Sequence, residues 1–308
     1  MKSGKLVRLY SRPKGEYPQS SNLILLRSIA SLEPNLKTQI SVISVVDYYE
    51  LYQAGLKDAI VLDLGQAQTY SRGHLPGAVH LPVTRIVRQD GYATGLMPSK
   101  AALIELAREY GLCSGKTIYL YDDEGGGWAG RMAWILDILG VEKVVYIDGG
   151  LRAWMYAGYP LSSQREVPEA SDAPEELNTY PCIQLEELQK VLEENQPLNL
   201  IDARSAGEYN GVRQFAQRAG RIPGAQHYEW TRAMRLDSDY TLRSLDVIRS
   251  ELQTLYSDMS NQFVVYCQTH HRSGLSYLMC RLLGLNVRAY AGSWSEWGNN
   301  ADVPIQND

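Results

Sequence analysis

The residues best suited to chemistry in this sequence follow one short apolar run. Phe263–Tyr266 is typical of a buried strand, and Cys267 comes directly after it, followed by the polar segment 268–272 and a predicted helix that begins at Ser273. Backbone N–H groups and the helix dipole favour an anion at such a junction, and this setting lowers the pKa of a thiol. We therefore expect a useful fraction of Cys267 to be thiolate at neutral pH.

The polar segment supplies candidate groups for binding an anionic substrate. Its side chains are Gln268, Thr269, His270, His271 and Arg272. We expect Arg272, together with partly protonated His270 and His271, to form a cationic rim around Cys267. A free cysteine is more often a small buried apolar residue, and that interpretation suits the other three, which are Cys113, Cys182 and Cys280.

The chain contains an internal duplication. An apolar run ending in Asp63 is matched by another ending in Asp202, and three further pairs of segments match in the same order: 73–78 with 220–225, 117–140 with 262–284, and 146–154 with 289–297. Matched blocks in a conserved order predict two copies of one domain. The second copy carries extra residues around 211–218, which we expect to form a surface loop.

The duplication also predicts the domain organisation and the fold class. Residues 1–38 are expected to be an N-terminal extension, 39–159 a first domain, 160–181 a linker and 182–308 a second domain. Helices are predicted over 99–110, 131–139, 185–194, 245–256 and 273–283. They alternate with short apolar runs that lack polar alternation, as in parallel strands covered on both faces. The predicted fold is α/β, with an open parallel sheet and helices on both faces in each domain.

The two copies differ most at the position of Cys267, where the first copy has Asp122. A carboxylate cannot act as a thiol nucleophile, and the neighbouring Asp123 and Glu124 repel an anionic substrate. We therefore expect the first domain to be catalytically silent, to pack against the second and to wall the site.

Composition excludes several other classes of protein. The chain has 308 residues, a net charge of -5 and a pI near 5.6, which gives no reason to expect a nucleic-acid or membrane partner. Its four cysteines form no CxxC pair, so neither a disulfide framework nor a zinc site is expected. We predict no metal and no cofactor. The basic N-terminus lacks the apolar core of a signal peptide, and we expect a cytoplasmic protein.

At these residues the sequence resembles the tandem-domain rhodanese family of sulfurtransferases. The resemblance rests on Asp63 with Gly-His-Leu-Pro-Gly-Ala78, Asp202 with Gly-Arg-Ile-Pro-Gly-Ala225, the acidic glycine-rich loop at Asp122, and Gly-Ser-Trp-Ser-Glu-Trp297. It implies that Cys267 accepts a sulfane sulfur as a persulfide, which a second nucleophile such as cyanide or a thiol then removes. Arg204 matches a family arginine that helps to bind the substrate anion. The alternative role for Arg204 is an ion pair with Asp202 or Glu208.

The loop also bears on the substrate. Cysteine phosphatases of related architecture use Cys-x5-Arg, whereas Arg272 follows Cys267 after only four residues, so we set a phosphatase aside. The segment Gln268-Thr269-His270 looks like that of some bacterial tandem rhodaneses that favour thiosulfate, and we predict a thiosulfate sulfurtransferase. A 3-mercaptopyruvate sulfurtransferase, and a persulfide carrier that delivers sulfur to a partner protein, remain the alternatives.

Overall fold

The first half of the chain builds a five-stranded parallel sheet, in a computed structural model that describes residues 36–307. Its strands are β1 (Gln39–Ile43), β2 (Ala59–Asp63), β3 (Val79–His80), β6 (Thr117–Tyr121) and β7 (Lys143–Ile147), and β4 (Arg88–Asp90) and β5 (Ala93–Leu96) form a separate antiparallel hairpin. The sheet order is β1-β7-β6-β2-β3. The helices are α1 (Val45–Gln53), α2 (Ala67–Arg72), α3 (Lys100–Glu109), α4 (Gly127–Leu139) and α5 (Gly150–Tyr156).

The second half repeats this sheet without the first strand. Its strands are β8 (Asn199–Asp202), β9 (Gln226–His227), β10 (Phe263–Tyr266) and β11 (Val287–Ala289), in the parallel order β11-β10-β8-β9. The helices are α6 (Leu185–Glu193), α7 (Ala206–Tyr209), α8 (Leu245–Leu255), α9 (Arg272–Leu282) and α10 (Ser293–Trp297). In place of β1, only an isolated bridge from Cys182 to Ala289 lies beside β11 in the described part of the chain.

The two halves meet where α4 and α9 cross at very close range. A Cβ atom on Gly130 would lie 2.3 Å from the carbonyl oxygen of Gly274, and one on Gly274 would lie 2.3 Å from that of Gly127. Glycine is therefore required at both positions, because any side chain would push the helices apart. Helix α4 follows the loop at Asp122 and α9 follows the loop at Cys267, so the crossing brings both loops to the joint between the halves.

A buried ion pair reinforces the crossing. The Arg281 guanidinium of α9 donates from Nε to the Asp137 carboxylate of α4 at 2.9 Å, and the Tyr277 hydroxyl donates to the same carboxylate at 2.6 Å. Arg281 also donates to the carbonyl of Thr38 at 2.7 Å. These buried charges are compensated by one another, as burial requires.

The predicted α/β class with parallel sheets is confirmed, and each of the five predicted helices is present to within a few residues. The strands β1, β3, β9 and β11 and the β4–β5 hairpin were not predicted. The domain limits at 39–159, 160–181 and 182–308 stay predictions, and residues 1–35 of the predicted extension lie outside the described part of the chain. None of the helices within residues 36–307 has the length and apolar character needed to cross a bilayer.

Candidate active site

Cys267 lies where β10, an interior strand of the second sheet, gives way to the N-terminus of α9. β10 pairs with β8 on one side and β11 on the other, so the backbone that leads to the thiol is held from both directions. Cys267 is a free cysteine and is fully buried. The strand therefore delivers the thiol to the positive end of a helix, away from bulk water.

Hydrogen-bond donors surround the Cys267 sulfur. The backbone N–H groups of Thr269 and Ser273 and the Ser273 hydroxyl all point to it. Burial alone would raise the pKa of the thiol, but the charge of Arg272 and these hydrogen bonds outweigh burial, so the pKa lies below its ordinary value of 9.0. The loop is thus built to hold a sulfur anion.

The turn before α10 fixes the backbone of the cysteine. The Cys267 N–H donates to Ser293 Oγ at 3.3 Å, and the Trp294 N–H donates to the Cys267 carbonyl at 2.9 Å. The Ser295 N–H donates to the carbonyl of Gln268 at 2.9 Å. This proximity of Ser293 and Trp294 to the loop fixes the start of the cradle.

Arg272 forms a two-pronged ion pair instead of presenting a free guanidinium. Its Nη1 and Nη2 donate to the two carboxylate oxygens of Glu208 at 2.7 and 2.8 Å. Burial would raise the pKa of Glu208, but the hydrogen bonds from Arg272 and Ser205 lower it to about 2. The pair keeps both groups charged at neutral pH. The positive charge of Arg272 lowers the pKa of the Cys267 thiol by electrostatic attraction to the thiolate.

The structure corrects the expected positive charge on His270. This side chain is fully buried, with Nδ1 2.8 Å from Ser273 Oγ and its ring edge-on to Trp134 of α4 at 4.7 Å. Burial, followed by the charge of Arg131, lowers the pKa of His270 well below 6.5. His270 is therefore neutral at pH 7, and its ring packs between the loop and α4. It does not contribute to the predicted cationic rim.

His271 reaches across to the first half. Its ring stacks on Trp128 at 4.3 Å, and its Nε2 lies 2.5 Å from a carboxylate oxygen of Glu124. The side chain is partly exposed at the joint. Its polar edge faces an acidic residue of the first loop, so this contact links the two loops directly.

Arg204 takes the alternative role that the sequence left open. It is buried, and its Nε donates to both oxygens of Asp202 at 2.9 and 3.0 Å, while Nη2 donates to Asp202 at 2.6 Å and to the Gly220 carbonyl at 2.8 Å. These contacts place its guanidinium in a structural ion pair, and the binding of a substrate anion by Arg204 stays a prediction.

Gln268 contributes its side chain to the surroundings of the site, whereas Thr269 contributes its backbone. The Gln268 side chain donates to the carbonyl of Phe215 at 3.2 Å and lines a cleft of about 460 Å³ at the joint between the halves. The cleft is lined by Gln89, Gly91, Tyr92, Thr94, Phe215, Ala216, Gln217, Gln268, Ser295 and Asn299. Thr269 contributes its backbone, with the N–H on the sulfur and the carbonyl turned to the first half.

The matching loop of the first half holds a carboxylate in the same kind of cradle. Asp122 Oδ1 accepts from the N–H groups of Glu124, Gly125 and Gly126 at 3.1, 3.0 and 2.8 Å. Its Oδ2 accepts from the N–H groups of Trp128 and Ala129 at 3.0 and 3.1 Å. The side chain of the loop itself therefore fills the anion site, and the catalytic silence of the first half stays a prediction.

Sequence reasoning missed Arg131, which projects from α4 of the silent half to the Cys267 loop. It is fully buried, and its guanidinium donates to carbonyl groups of Ile86, Gly95, Leu96, Thr269 and His270. A signal was available, because α4 is apolar around its whole circumference, and such helices are buried together with any charge they carry.

The sequence profile of the rhodanese-like domain matches this chain twice, over residues 45–157 and 184–300. The chain belongs to the rhodanese family. Thiosulfate sulfurtransferase of Pseudomonas aeruginosa is 40% identical over 253 residues, which cover 82% of this chain and 92% of the relative. That of Azotobacter vinelandii is 40% identical over 250 residues, covering 81% and 91%. The sulfur carrier protein TtuD of Thermus thermophilus is 32% identical, covering 77% and 86%.

Solved structures agree on the fold. A variant of EanB bound to ergothioneine superposes with a TM-score of 0.77 at 20% identity, covering 88% of this chain and 71% of that chain. The anaerobic ergothioneine biosynthesis enzyme of Chlorobium limicola gives 0.73 at 21% identity, covering 85% and 69%. The predictions of a tandem rhodanese fold and of a sulfur-transferring enzyme are confirmed, and the roles of individual side chains stay to be tested.

Proposed function

We propose that this rhodanese moves sulfane sulfur from thiosulfate to cyanide or a thiol, through a persulfide on Cys267. The observation that carries the proposal is the Cys267 sulfur at the N-terminus of α9, with donors from Thr269 and Ser273 directed at it and a pKa below 9.0. A thiolate held by fixed donors is a good nucleophile, and a persulfide anion formed there keeps the same stabilising groups.

The proposed cycle has two displacements. The Cys267 thiolate attacks the outer sulfur of thiosulfate, the new S–S bond forms as the old one breaks, and sulfite leaves with the electron pair. Cyanide then attacks the terminal sulfur of the persulfide, thiocyanate leaves, and the Cys267 thiolate returns. With a thiolate acceptor the product is the acceptor's persulfide. Neither half-reaction requires an external oxidant or reductant.

Thiosulfate as the donor is supported by the relatives and not by a cationic rim. His270 is neutral, and both terminal nitrogens of Arg272 contact Glu208, so little side-chain charge is free to select a dianion. The N–H cradle stabilises the transferred sulfur whichever donor supplies it. The relatives from Pseudomonas aeruginosa and Azotobacter vinelandii are named thiosulfate sulfurtransferase, which supports thiosulfate over 3-mercaptopyruvate as the donor for this chain.

A protein acceptor is the second candidate, favoured by the cleft beside Gln268. Tyr92 on the β4–β5 hairpin is 65% exposed and Phe215 on the inserted loop is 63% exposed, and both line this cleft. Aromatic side chains at an opening lined by amide groups suit a peptide better than cyanide. The related TtuD is named a sulfur carrier protein. A reducing compartment suits free thiols, and we assign the protein to the cytoplasm.

The test is thiocyanate formation from cyanide, with thiosulfate and 3-mercaptopyruvate as parallel donors. We expect turnover with thiosulfate that is abolished in Cys267→Ala and kept in Cys113→Ala, the matched control for loss of a thiol. A preference for 3-mercaptopyruvate would overturn the donor assignment. Turnover by Cys267→Ala would overturn the proposed mechanism. Sulfur loading without turnover to cyanide would favour the protein acceptor.

A further inference from the structure

We propose that Arg131, a residue of the catalytically silent half, is a positioning residue for sulfur transfer: it anchors the Cys267 loop by its carbonyl groups and places a buried positive charge beside the sulfur. The inference rests on the proposed function and adds to it an element supplied by the first half. It assigns to that half an electrostatic part in the reaction, beyond walling the site.

The contacts of Arg131 join three pieces of backbone. Nε donates to the carbonyl of Ile86 at 2.9 Å, and Nη2 donates to those of Gly95 and Leu96 at 2.9 and 3.0 Å. Nη1 donates to the carbonyls of Thr269 and His270 at 3.2 and 3.4 Å. All of these acceptors are neutral. Anchored in its own half by the first three bonds, the guanidinium can fix the loop of the other half.

Holding a carbonyl also sets the direction of an N–H group. In a planar trans peptide the C=O and the following N–H point in opposite directions. Binding the carbonyls of Thr269 and His270 therefore turns the N–H groups of His270 and His271 away from Arg131. In the silent loop the N–H groups at the matching positions, Gly125 and Gly126, donate to Oδ1 of the carboxylate. By this register, Arg131 orients two of the donors that would face the outer sulfur of a persulfide.

The charge of Arg131 acts on the same sulfur. Burial lowers the pKa of the guanidinium to about 9, the Cys267 thiolate acts in the opposite direction, and the group is charged at neutral pH. The attraction is mutual, so a buried cation that is stabilised by the thiolate also stabilises that thiolate, although the charge of Arg272 acts on the thiol more strongly. A buried arginine that contacts only neutral acceptors is costly for the fold, and the anion at Cys267 offsets part of that cost.

The arrangement is one-sided, although the two helices are related by the duplication. Counting from Asp122 and from Cys267, the position of Arg131 in α4 corresponds to Ser276 in α9. Ser276 is buried and its hydroxyl has no hydrogen-bond partner in the described structure. The silent loop, which already contains a carboxylate, thus receives no cation from this position of the other half, whereas the loop with the reactive thiol does.

Several other charged or titratable groups face the Cys267 loop, and the test must separate Arg131 from them. They are Arg272 with Glu208, Arg204 with Asp202, His271 with Glu124, and the neutral His270. Substitution of Arg131 leaves each of these pairs intact. The change in the thiol can therefore be assigned to Arg131 if a control for loosening of the joint is included.

The experiment titrates the Cys267 thiolate by its ultraviolet absorbance in full-length Arg131→Met, with the Cys267→Ala form of the same variant as the blank. We expect the thiol pKa to rise by up to about one unit, as for loss of a nearby opposite charge, and thiocyanate formation measured below that pKa to fall by up to about tenfold with it. Arg281→Met is the matched control, because Arg281 is also a buried arginine at the α4–α9 joint. It should lower the melting temperature and leave the thiol pKa unchanged.

The result that overturns the proposal is a thiol pKa in Arg131→Met equal to that of the wild type, or an equal rise in Arg281→Met. If Arg131→Met does not fold, Arg131→Gln, which removes the charge and keeps a polar group among the carbonyls, decides by the same criteria. The titration needs no turnover. Failure of the proposed function, seen as absent thiocyanate formation by the wild type, is therefore distinguishable from failure of the role of Arg131.

Discussion

The loops that follow β6 and β10 are the same structure used in two ways. In both, N–H groups two and six positions after the key residue donate to it: Glu124 and Trp128 to the Asp122 carboxylate, Thr269 and Ser273 to the Cys267 sulfur. The first loop contains its own anion and is closed to ligands. The second has a thiol in that position, and a sulfur anion can be formed there and passed on.

The two loops differ in the residues that adopt positive φ angles. Gly125 and Gly126 have positive φ angles of 106° and 96°, which cost glycine little, whereas His270 in the second loop has a φ of 55°. A non-glycine residue in this region costs about 1–2 kcal/mol. The contacts of the His270 ring with Ser273 and Trp134 offset that cost. The reactive loop thus depends on the neighbouring half for its shape.

The largest expected effect comes from making the reactive loop resemble the silent one. Cys267→Asp places a carboxylate in the second loop at the position that corresponds to Asp122. In the first loop, five N–H groups donate to the Asp122 carboxylate. We expect thiocyanate formation to be lost completely, while the melting temperature stays equal to or above that of Cys267→Ala, because a loop donor set left without an anion is destabilising. Activity assays and thermal melts check this. A Cys267→Asp variant that unfolds far below Cys267→Ala would show that the two cradles are not equivalent.

A second difference between the loops is Arg272, whose position is occupied by Gly127 in the first half. Burial raises the pKa of the Cys267 thiol and Arg272 lowers it, so Arg272→Met should move the pKa upward. Since the thiolate is the reactive form, the acid limb of the rate–pH profile should move to higher pH. At pH values below the thiol pKa, the rate should fall about tenfold for every pH unit by which that limb moves. The measurement is the rate of thiocyanate formation against pH.

The control for that prediction is Arg272→Lys, which keeps a cation but loses the two-pronged contact with Glu208. Its profile should lie close to that of the wild type. If Arg272→Met and Arg272→Lys moved the limb equally, the geometry of the ion pair and not its charge would set the pKa of the thiol.

The smallest expected effect is at the contact between the two loops. His271→Phe keeps the stacking on Trp128 and loses the polar contact with Glu124, which is partly exposed and of the kind that contributes about 0.2–1 kcal/mol. We expect activity within about fivefold of the wild type by this scale. A loss of activity as large as that of Arg272→Met would contradict this expectation. It would indicate that His271, unlike the neutral His270, supplies positive charge near Cys267.

Much of the scaffold could be predicted because its signals are local. The apolar runs that form β2, β6, β8 and β10, the Ser99 cap of α3 and the matched blocks are all readable along the chain. β1 was missed because its neighbour in the sheet is β7, far along the sequence. β11 was missed because a strand of three residues gives almost no pattern.

The nucleophile of the site could be predicted from the sequence, whereas the charge states and ion-pair partners of the surrounding side chains could not. Cys267 stands out by its place after a strand, but protonation of His270 depends on burial under Trp134 of the other half, which no local pattern encodes. The role of Arg204 turned on whether Asp202 or a ligand would take its guanidinium. Arg131 lies far from the loop in sequence, and only the crossing of α4 and α9 brings them together.

The most direct test of the central claim is mass spectrometry of the wild-type protein after incubation with thiosulfate. The account predicts a gain in mass of one sulfur atom on the peptide that contains Cys267, none on the peptide of Cys113, and loss of that sulfur on addition of cyanide with release of an equal amount of thiocyanate. A protein that turns thiosulfate over without ever carrying sulfur on Cys267, or that carries it on another cysteine, would contradict the account.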